Sequence, residues 1–420
     1  MKERKRILII SPTPSHPQNA GNRARIYALA SSIQKRGYEV HFLYWDRERH
    51  SNHVERKPDI PAMKLFWDNF VYVPLNSPNF FQRADALFHY TSGIAGKLIK
   101  KYFSELYREL KPYFPDAFST LYPMKRKNTG LDRFYDISLD YRIKKMHAKY
   151  IYDAIMVEYV FMSRALEAVG NEVVKIIDTH DVFTNRNKKY SKKRIFEDFF
   201  STTISEEARG IKRADIIIAI QKEEAKFLRT LTKKPVIIIG HITSLKKPQK
   251  TKVGNNIAFL GSGNKANIHG VNFFIKNIFS RIKMHLPNVR LILAGNIGHK
   301  IKAVEGCKVL GEVKNIAKFY DSADVVISPL YVGTGLKIKV VEALSYSKPI
   351  VMTSHSAEGL DRKNKAFLVA DDPESFSNAV IRILTDHKLY RNLTTGAYKF
   401  SKNYQKLNKK NISTLLNMIK

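Results

Sequence analysis

The chain is 420 residues long and 44% hydrophobic, enough for two or three domains with sizeable cores, and no repeat or low-complexity run is evident. Its single cysteine, Cys307, excludes an internal disulfide and suits a reducing compartment. Basic residues number 72 against 38 acidic, for a net charge of +34 shared between both halves of the chain, so the basicity is not that of one tail. Such a field draws polyanions: nucleotide, lipid diphosphate, anionic membrane or nucleic acid. A lysine-rich solvated surface has the same composition.

The N-terminal MKERKRILIISPTPSHP is basic, but its apolar ILII is too short for a secretion-signal core. No run reaches the roughly 18 apolar residues that cross a bilayer. A cytoplasmic protein is expected, with peripheral attachment to the inner membrane face open to it.

In the first half, strands are predicted at Arg6–Ser11, Glu39–Tyr44, Phe70–Val73, Ala154–Glu158, Val174–Asp178, Asp215–Ile220 and Val236–Ile239, with a helix over Arg23–Arg36. Continuous Ile/Val/Leu runs joined by helices indicate a parallel sheet covered on both faces. The polar, lysine-rich stretch Thr243–Asn256 reads as a linker. A second series follows at Ile257–Leu260, Val289–Ala294, Cys307–Leu310, Asp324–Ser328, Pro349–Thr353 and Ala366–Val369. Helices are predicted over Val271–His285, Ile316–Ser322 and Pro373–Thr385. The expected fold class is α/β, with two doubly wound, Rossmann-like domains (1–242 and 252–389) facing across a cleft. The ligand should lie beyond the carboxyl ends of the strands.

The segment Gly333–Leu344, GTGLKIKVVEAL, follows the strand Asp324–Ser328 and precedes a second strand, Lys348–Met352, so that its glycine loop opens a helix. Glycines there bring bare amides to a helix N-terminus, where the dipole favours a phosphate. Lys337 and Lys339 add cations beside it, and Glu342, one turn in, can accept bonds from sugar hydroxyls. Gly261, Ser262, Gly263, Asn264 and Lys265 also follow a strand and open a helix, as a second anion loop or an ordinary glycine turn. Lys265 and Lys339 are the first candidates for neutralising a diphosphate, with Lys337 third.

GTGLKIK, VVEAL and the following SKPIVMTSHSAEGL resemble the nucleotide-sugar site of retaining glycosyltransferases of the GT-B fold, the large family 4 type. FLGSGNKANIHGVNFF, LGEVKNIAKFYDSADVVISPL, KIIDTHDVFTNRNKKY, EARGIKRADIIIAIQKEEA and the first loop, SPTPSHPQNAGNRARIYALA, are similar to their counterparts in polysaccharide-locus sugar transferases. The likeness is thinnest from His50 to Tyr150, where the acceptor would bind. Many members carry two glutamates eight positions apart. Glu342 matches the second, whereas Thr334 or, aligned on the glycines, Val332 stands at the first, so that glutamate is absent. The GTGLKIK variant marks a branch of the family.

The resemblance implies a donor site of Gly261, Ser262, Gly263, Lys265, Gly333, Thr334, Gly335, Leu336, Lys337 and Glu342. Glu342 would hold the ribose, and Gly295, Gly311 and Val313 would hold the base. It implies that a helix from about Tyr390 (390–420) crosses back to the first domain. It places His180, flanked by Asp178 and Asp181, against the transferred sugar or the acceptor, orienting rather than attacking. His180, Asp181 and Lys339 are accordingly the catalytic candidates. Asn19, Gly21, Asn22, Arg23 and Arg25, in the loop after the first strand, would approach the phosphates from across the cleft; a capped turn is their structural alternative. Glu158, with Tyr159 beside it, is a further cleft candidate. No metal and no resident cofactor are expected, because cationic side chains would stabilise the leaving diphosphate.

The cationic run Arg186–Arg194 is a candidate for lipid diphosphate or headgroups. Gly93–Phe114 reads as an amphipathic helix, packed on its own domain or lying in a membrane interface. The implied function is transfer of a sugar from a nucleotide-diphosphate donor to a glycan or lipid-linked acceptor, with retention of configuration, in bacterial capsule, exopolysaccharide or lipopolysaccharide synthesis. The alternatives are a nucleotide-sugar epimerase on the same architecture and a basic nucleic-acid-binding protein. A donor-only assay for isomerised sugar separates the first. No RRM, KH or zinc-finger pattern supports the second.

Overall fold

The structure, a computed structural model, describes residues 4–46, 57–74, 130–191, 200–248, 253–302, 304–361 and 365–419. The amphipathic pattern of Gly93–Phe114 lies outside the described residues, as do residues 192–194 of the cationic run.

The first sheet contains β1 (Arg6–Ser11), β2 (Glu39–Asp46), β3 (Asn69–Pro74), β4 (Ala154–Glu158), β5 (Val174–Asp178), β6 (Ile216–Ala219) and β7 (Val236–Ile238). Their order is β3-β2-β1-β4-β5-β6-β7, and every pairing is parallel. The second sheet contains β8 (Asn256–Leu260), β9 (Arg290–Ala294), β10 (Cys307–Gly311), β11 (Val325–Ser328), β12 (Ile350–Met352) and β13 (Leu368–Val369), in the order β10-β9-β8-β11-β12-β13, again all parallel.

Both sheets are α/β and doubly wound, because the unbroken apolar strands need cover on both faces. Ile7 and Ile9 of β1 bury into one core, whereas Leu8 and Ile10 bury into the other. In the second sheet, Ile257 and Phe259 face one cluster, and Ala258 and Leu260 the other.

Five helices frame the space between the sheets: α1 (Gly21–Gln34), α2 (Lys222–Leu231), α3 (Lys265–Phe274), α4 (Ile338–Ser345) and α5 (His387–Asn417). The predicted helix at Val271–His285 is the tail of a longer one. It begins at Lys265, loosens to a π turn over Ile275–Phe279, and ends at His285.

Helix α5 starts three residues before the expected Tyr390. It buries Ala397 and Phe400 with the second sheet, then Ile412, Leu415 and Leu416 with the first. Asn408 Oδ1 accepts the Gly240 N–H at 2.9 Å, and Asn411 Nδ2 donates to the Ile238 carbonyl at 2.6 Å. One rod thus joins both sheets. Among the described residues, no helix is long and apolar enough to cross a membrane.

Candidate functional site

In each sheet the order of strand addition reverses once, between β1 and β4 in the first and between β8 and β11 in the second. The crevice outside such a reversal is where open α/β sheets bind ligands. The candidate residues follow these four strands: Asn19–Arg25 after β1, Glu158 at the end of β4, Gly261–Lys265 after β8 and Gly333–Lys337 after β11.

The two crevices meet. Asn19 Nδ2 donates to Glu312 Oε1 at 3.1 Å, and a Cβ on Gly21 would lie 3.4 Å from Ile338 Cδ1. Gly21 is the first residue of α1 and Ile338 the first of α4, and neither helix has a side-chain N-cap. The first residues of the two helices therefore touch, with part of each helix's N–H groups unspent by capping. Their positive ends repel unless an anion lies between them. By contrast, α3 is capped: Asn264 Oδ1 accepts the Asn267 N–H at 2.8 Å. The Gly261–Lys265 loop is thus closed partly on itself, with Ser262 also held by Asn267 Nδ2.

The Gly333–Lys337 loop is shaped by glycine at φ 146° and 70° (Gly333 and Gly335). Leu336 turns its side chain into the core, which leaves only its backbone for a ligand. Thr334 Oγ1 is buried without a hydrogen-bond partner. Lys337 is not the mobile cation expected from sequence. Its Nζ folds back to the Gly335 carbonyl at 3.0 Å, and burial lowers its pKa. Lys339 Nζ pairs with Glu342 Oε2 at 2.8 Å, both side chains remaining partly exposed at the cleft. Val332, the place of the absent glutamate when the glycines are aligned, is buried with Tyr190 and Ala266 in one apolar cluster.

The strand-end glycines are knitted together. Gly261 N–H bonds the Ala294 carbonyl at 3.0 Å, Gly295 N–H bonds the Gly311 carbonyl at 2.6 Å, and a Cβ on Gly295 would stand 2.3 Å from the Gly261 oxygen. Val313, just beyond, is half-buried against the second sheet's core.

On the first sheet, β5 ends at Asp178, so His180 and Asp181 lie in the loop beyond the strand rather than in it; His180 has φ 58°. Its Nε2 is 2.5 Å from Glu158 Oε2 and 3.7 Å from Asp178 Oδ2, and Arg25 Nη2 meets Asp178 Oδ1 at 2.7 Å, all four groups being buried. The donor atoms of Glu158, Asp178 and His180 lie within 4.8 Å of one another. That spacing suits metal ligands, and in the structure His180 Nε2 and Glu158 Oε2 share a hydrogen bond. Arg25 already supplies positive charge. Arg23 Nη1 donates to Asn19 Oδ1 at 3.3 Å, and Asn22 Nδ2 to the Tyr159 hydroxyl at 3.2 Å. Arg186, from the cationic run, sits over the Phe183 and Tyr190 rings and lies 3.5 Å from Asp181.

Sequence reading missed four residues here. A Cβ on Gly359 would lie 1.7 Å from Gln221 Oε1, so a second glycine seats a side chain from the opposite sheet. Glu224, on α2, is buried, and desolvation and Asp181 push its carboxyl up to about 8. His241, after β7, is buried, and desolvation followed by the charges of Lys339 and Arg25 lowers it from 6.5 to about 3. For Gln221, Glu224 and His241, a position just past β6 or β7 was the available signal.

His241 makes the fold acid-sensitive. Its folded pKa lies below its unfolded value, so its contribution is complete above pH 6.5 and is lost as pH falls toward 3. Each unit in that window costs about 1.4 kcal/mol. The melting temperature should therefore drop more between pH 7 and pH 5 in the native protein than in His241→Gln; equal drops would refute this.

Residues 254–386 match the family model for glycosyl transferases group 1. No curated protein matches the chain by sequence. Among solved structures, sucrose-phosphate synthase from Thermosynechococcus elongatus superposes with TM-score 0.64 at 14% identity, over 99% of this chain and 98% of that one. The pneumococcal O-GlcNAc transferase GtfA, in complex with UDP and GlcNAc, gives 0.63 at 9% identity over 99% of both chains. Anabaena HepE, in complex with UDP and glucose, gives 0.58 at 12% identity over 97% of this chain and 98% of that one. The second sheet and its helices thus carry the glycosyl transferases group 1 signature, on a chain whose overall architecture is the GT-B fold.

Proposed function

We propose that the chain transfers a sugar from a nucleotide-diphosphate donor to a glycan or lipid-linked acceptor, with retention of configuration and without a metal. The observation that carries this reading is the contact between two helix N-termini without side-chain caps, α1 at Gly21 and α4 at Ile338. A diphosphate between them would relieve the repulsion of two positive dipole ends. The solved relatives with UDP bound support a nucleotide there by analogy of fold.

In this reading the bond from the sugar's anomeric carbon to the diphosphate breaks while an acceptor oxygen bonds that carbon on the same face. The acceptor's proton passes to the departing diphosphate oxygen. Amides of α1 and α4, with Lys339 and Lys265, stabilise the charge that builds on the leaving group. Glu342 exchanges part of its bond with Lys339 for the ribose hydroxyls. Gly295, Gly311 and Val313 border the base, and His180 with Asp181 orients the sugar. Asn19, Asn22, Arg23 and Glu158 complete the opposite wall. The basic surface, +34 overall, suits a peripheral enzyme acting on lipid-linked glycans at the cytoplasmic membrane face in bacterial surface polysaccharide synthesis.

A thermal-shift series checks the site. UDP or GDP should raise the melting temperature in EDTA, since a ligand that binds only the folded state stabilises it. Lys339→Ala and Glu342→Ala should each remove most of that rise. Full shifts in both variants would refute the assignment.

A further inference from the structure

The helix Ser138–Tyr150 covers one face of the first sheet, burying Leu139, Ile143 and Met146 against Leu8, Ile10 and Val157. Arg6 Nη1 donates to the Tyr150 carbonyl at 3.0 Å, which fixes the helix's carboxyl end at the start of β1. Its other end lies toward the strands' carboxyl ends: Leu131 and Phe134, just before the helix, pack with Tyr159 and Phe183, which follow β4 and β5. The helix therefore begins on the side of the crevice.

Its outer face is unlike that of a helix facing water. Ile137, Tyr141, Lys144, Lys145 and Ala148 recur at three- and four-residue spacing opposite the buried stripe, and all are exposed, Ile137 by 62% and Tyr141 by 71%. The helix then ends on Ile151, which has φ 52° and is 65% exposed. Left-handed helix ends select glycine or asparagine, and a β-branched side chain fits them worst. Water compensates Ile151 neither for that backbone nor for its exposure.

The charge on this face says what covers it. Arg133, Arg142, Lys144, Lys145 and Lys149 are exposed, whereas the acids of residues 131–151 are spent on internal partners. Asp132 pairs with Arg213 at 2.6 Å, Asp136 accepts the Ser138 N–H at 2.9 Å, and Asp140 takes the Tyr135 hydroxyl at 2.5 Å. Glu172 stands beside His147, at 3.6 Å, on the flank of the stripe. A second copy of the chain would set these cations against their own kind. A bilayer with anionic headgroups suits both parts of the face. Apolar side chains enter at the edge of the acyl region, tyrosine sits at headgroup level, and lysine stems lie along the surface with their ammonium groups on phosphate.

We infer that the outer face of the helix Ser138–Tyr150, with Ile137, Tyr141 and Ile151 as its apolar anchors, docks on an anionic lipid bilayer. The inference deepens the reading of the chain as a transferase working at a membrane, by naming the surface that meets the lipid. It rests on that reading only for the acceptor that the crevice would take from the bilayer.

The test is co-sedimentation of the full chain, at physiological salt, with vesicles of phosphatidylcholine alone and of phosphatidylcholine and phosphatidylglycerol in equal parts. The native chain should bind the anionic vesicles. Ile137→Ser with Tyr141→Ser should weaken that binding on the order of 10-fold, and Lys144→Ser with Lys145→Ser about 5-fold for each lysine. Ile151→Gly should weaken it while holding or raising the melting temperature, because glycine accepts left-handed backbone. Lys406→Ser with Lys409→Ser removes the same charge from exposed positions of α5 and should leave binding near native. A native chain that ignores the anionic vesicles overturns the inference, as does native binding by the Ile137 and Tyr141 double variant. An equal loss from the α5 variant overturns it too, since general basicity would then explain the binding. So does a native dimer that the Ile137 and Tyr141 double variant dissociates, because the face would then join two copies. UDP-induced stabilisation, measured on the same samples, should be native in every variant. If UDP fails to stabilise the native chain while vesicle binding responds as stated, the docking face stands and the nucleotide-sugar reading falls; if UDP stabilises and every variant binds vesicles like the native chain, the reverse holds.

Discussion

Replacing Gly335 by alanine should cut sugar transfer on the order of 100-fold, as a misplacement near 1 Å does in an active site. A Cβ there would lie 2.0 Å from Asp181 Oδ1 and 3.2 Å from its Cγ, and Gly335 has φ 70°. The left-handed backbone alone costs an alanine about 1–2 kcal/mol. The clash acts on the seam where the loop before α4 meets the loop after β5. Asp181 cannot retreat freely, because Arg186 lies 3.5 Å from it. The substitution therefore pushes apart the surfaces that should grip the two ends of one donor. The check is turnover with the nucleotide sugar that gives the largest thermal shift, together with the melting temperature. Turnover should collapse while melting falls by only a few degrees. Native turnover in Gly335→Ala would show that the two loops need not close on each other.

Arg25→Met should be the most damaging change to stability. The guanidinium is 1% exposed, donates from Nη2 to Asp178 Oδ1, and from Nη1 to the Ile239 and Gly240 carbonyls at 3.0 and 3.1 Å. Removing it leaves a buried carboxylate without its countercharge, at a cost of about 3–5 kcal/mol. For a chain of this size the melting temperature should fall by about 3–6 °C. Arg25→Met with Asp178→Asn should lose much less, since the second change removes the orphaned charge. Calorimetry of the single and double variants decides: equal losses would mean that the ion pair is not what the fold depends on. The pair also ties α1 to the end of β5, so nucleotide affinity should weaken alongside stability.

Much of the fold was legible because each strand is an unbroken apolar run bounded by turns. Ala154–Glu158 and Val174–Asp178 match to the residue. Boundaries slipped where a local signal misleads: Asn22, a preferred N-cap residue, marks a start at Arg23, whereas α1 opens at Gly21 with no side-chain cap. What the sequence does not show is the left-handed backbone at His180, which turns the chain just beyond β5.

At the candidate site, glycine positions could be read, but not what they accommodate. Gly335 and Gly359 make room for Asp181 and Gln221, which come from the other sheet and are brought near only by docking. Lys337 looked like a free cation because a sequence does not show the carbonyls its ammonium will find. Leu336 looked like part of a phosphate loop, yet its side chain belongs to the core. The Tyr159–His180 stack joins residues that are remote in sequence and neighbours only because β4 pairs with β5.

The central claim is that the N-termini of α1 and α4 grip a diphosphate between them. The most direct measurement is a crystal structure with UDP grown in EDTA. The account predicts both phosphates between the amides of Ile338 and Lys339 and those of Gly21 and Asn22, with the ribose at Glu342. Phosphates seated elsewhere, on the Gly261–Lys265 loop alone or outside the crevice, would contradict it.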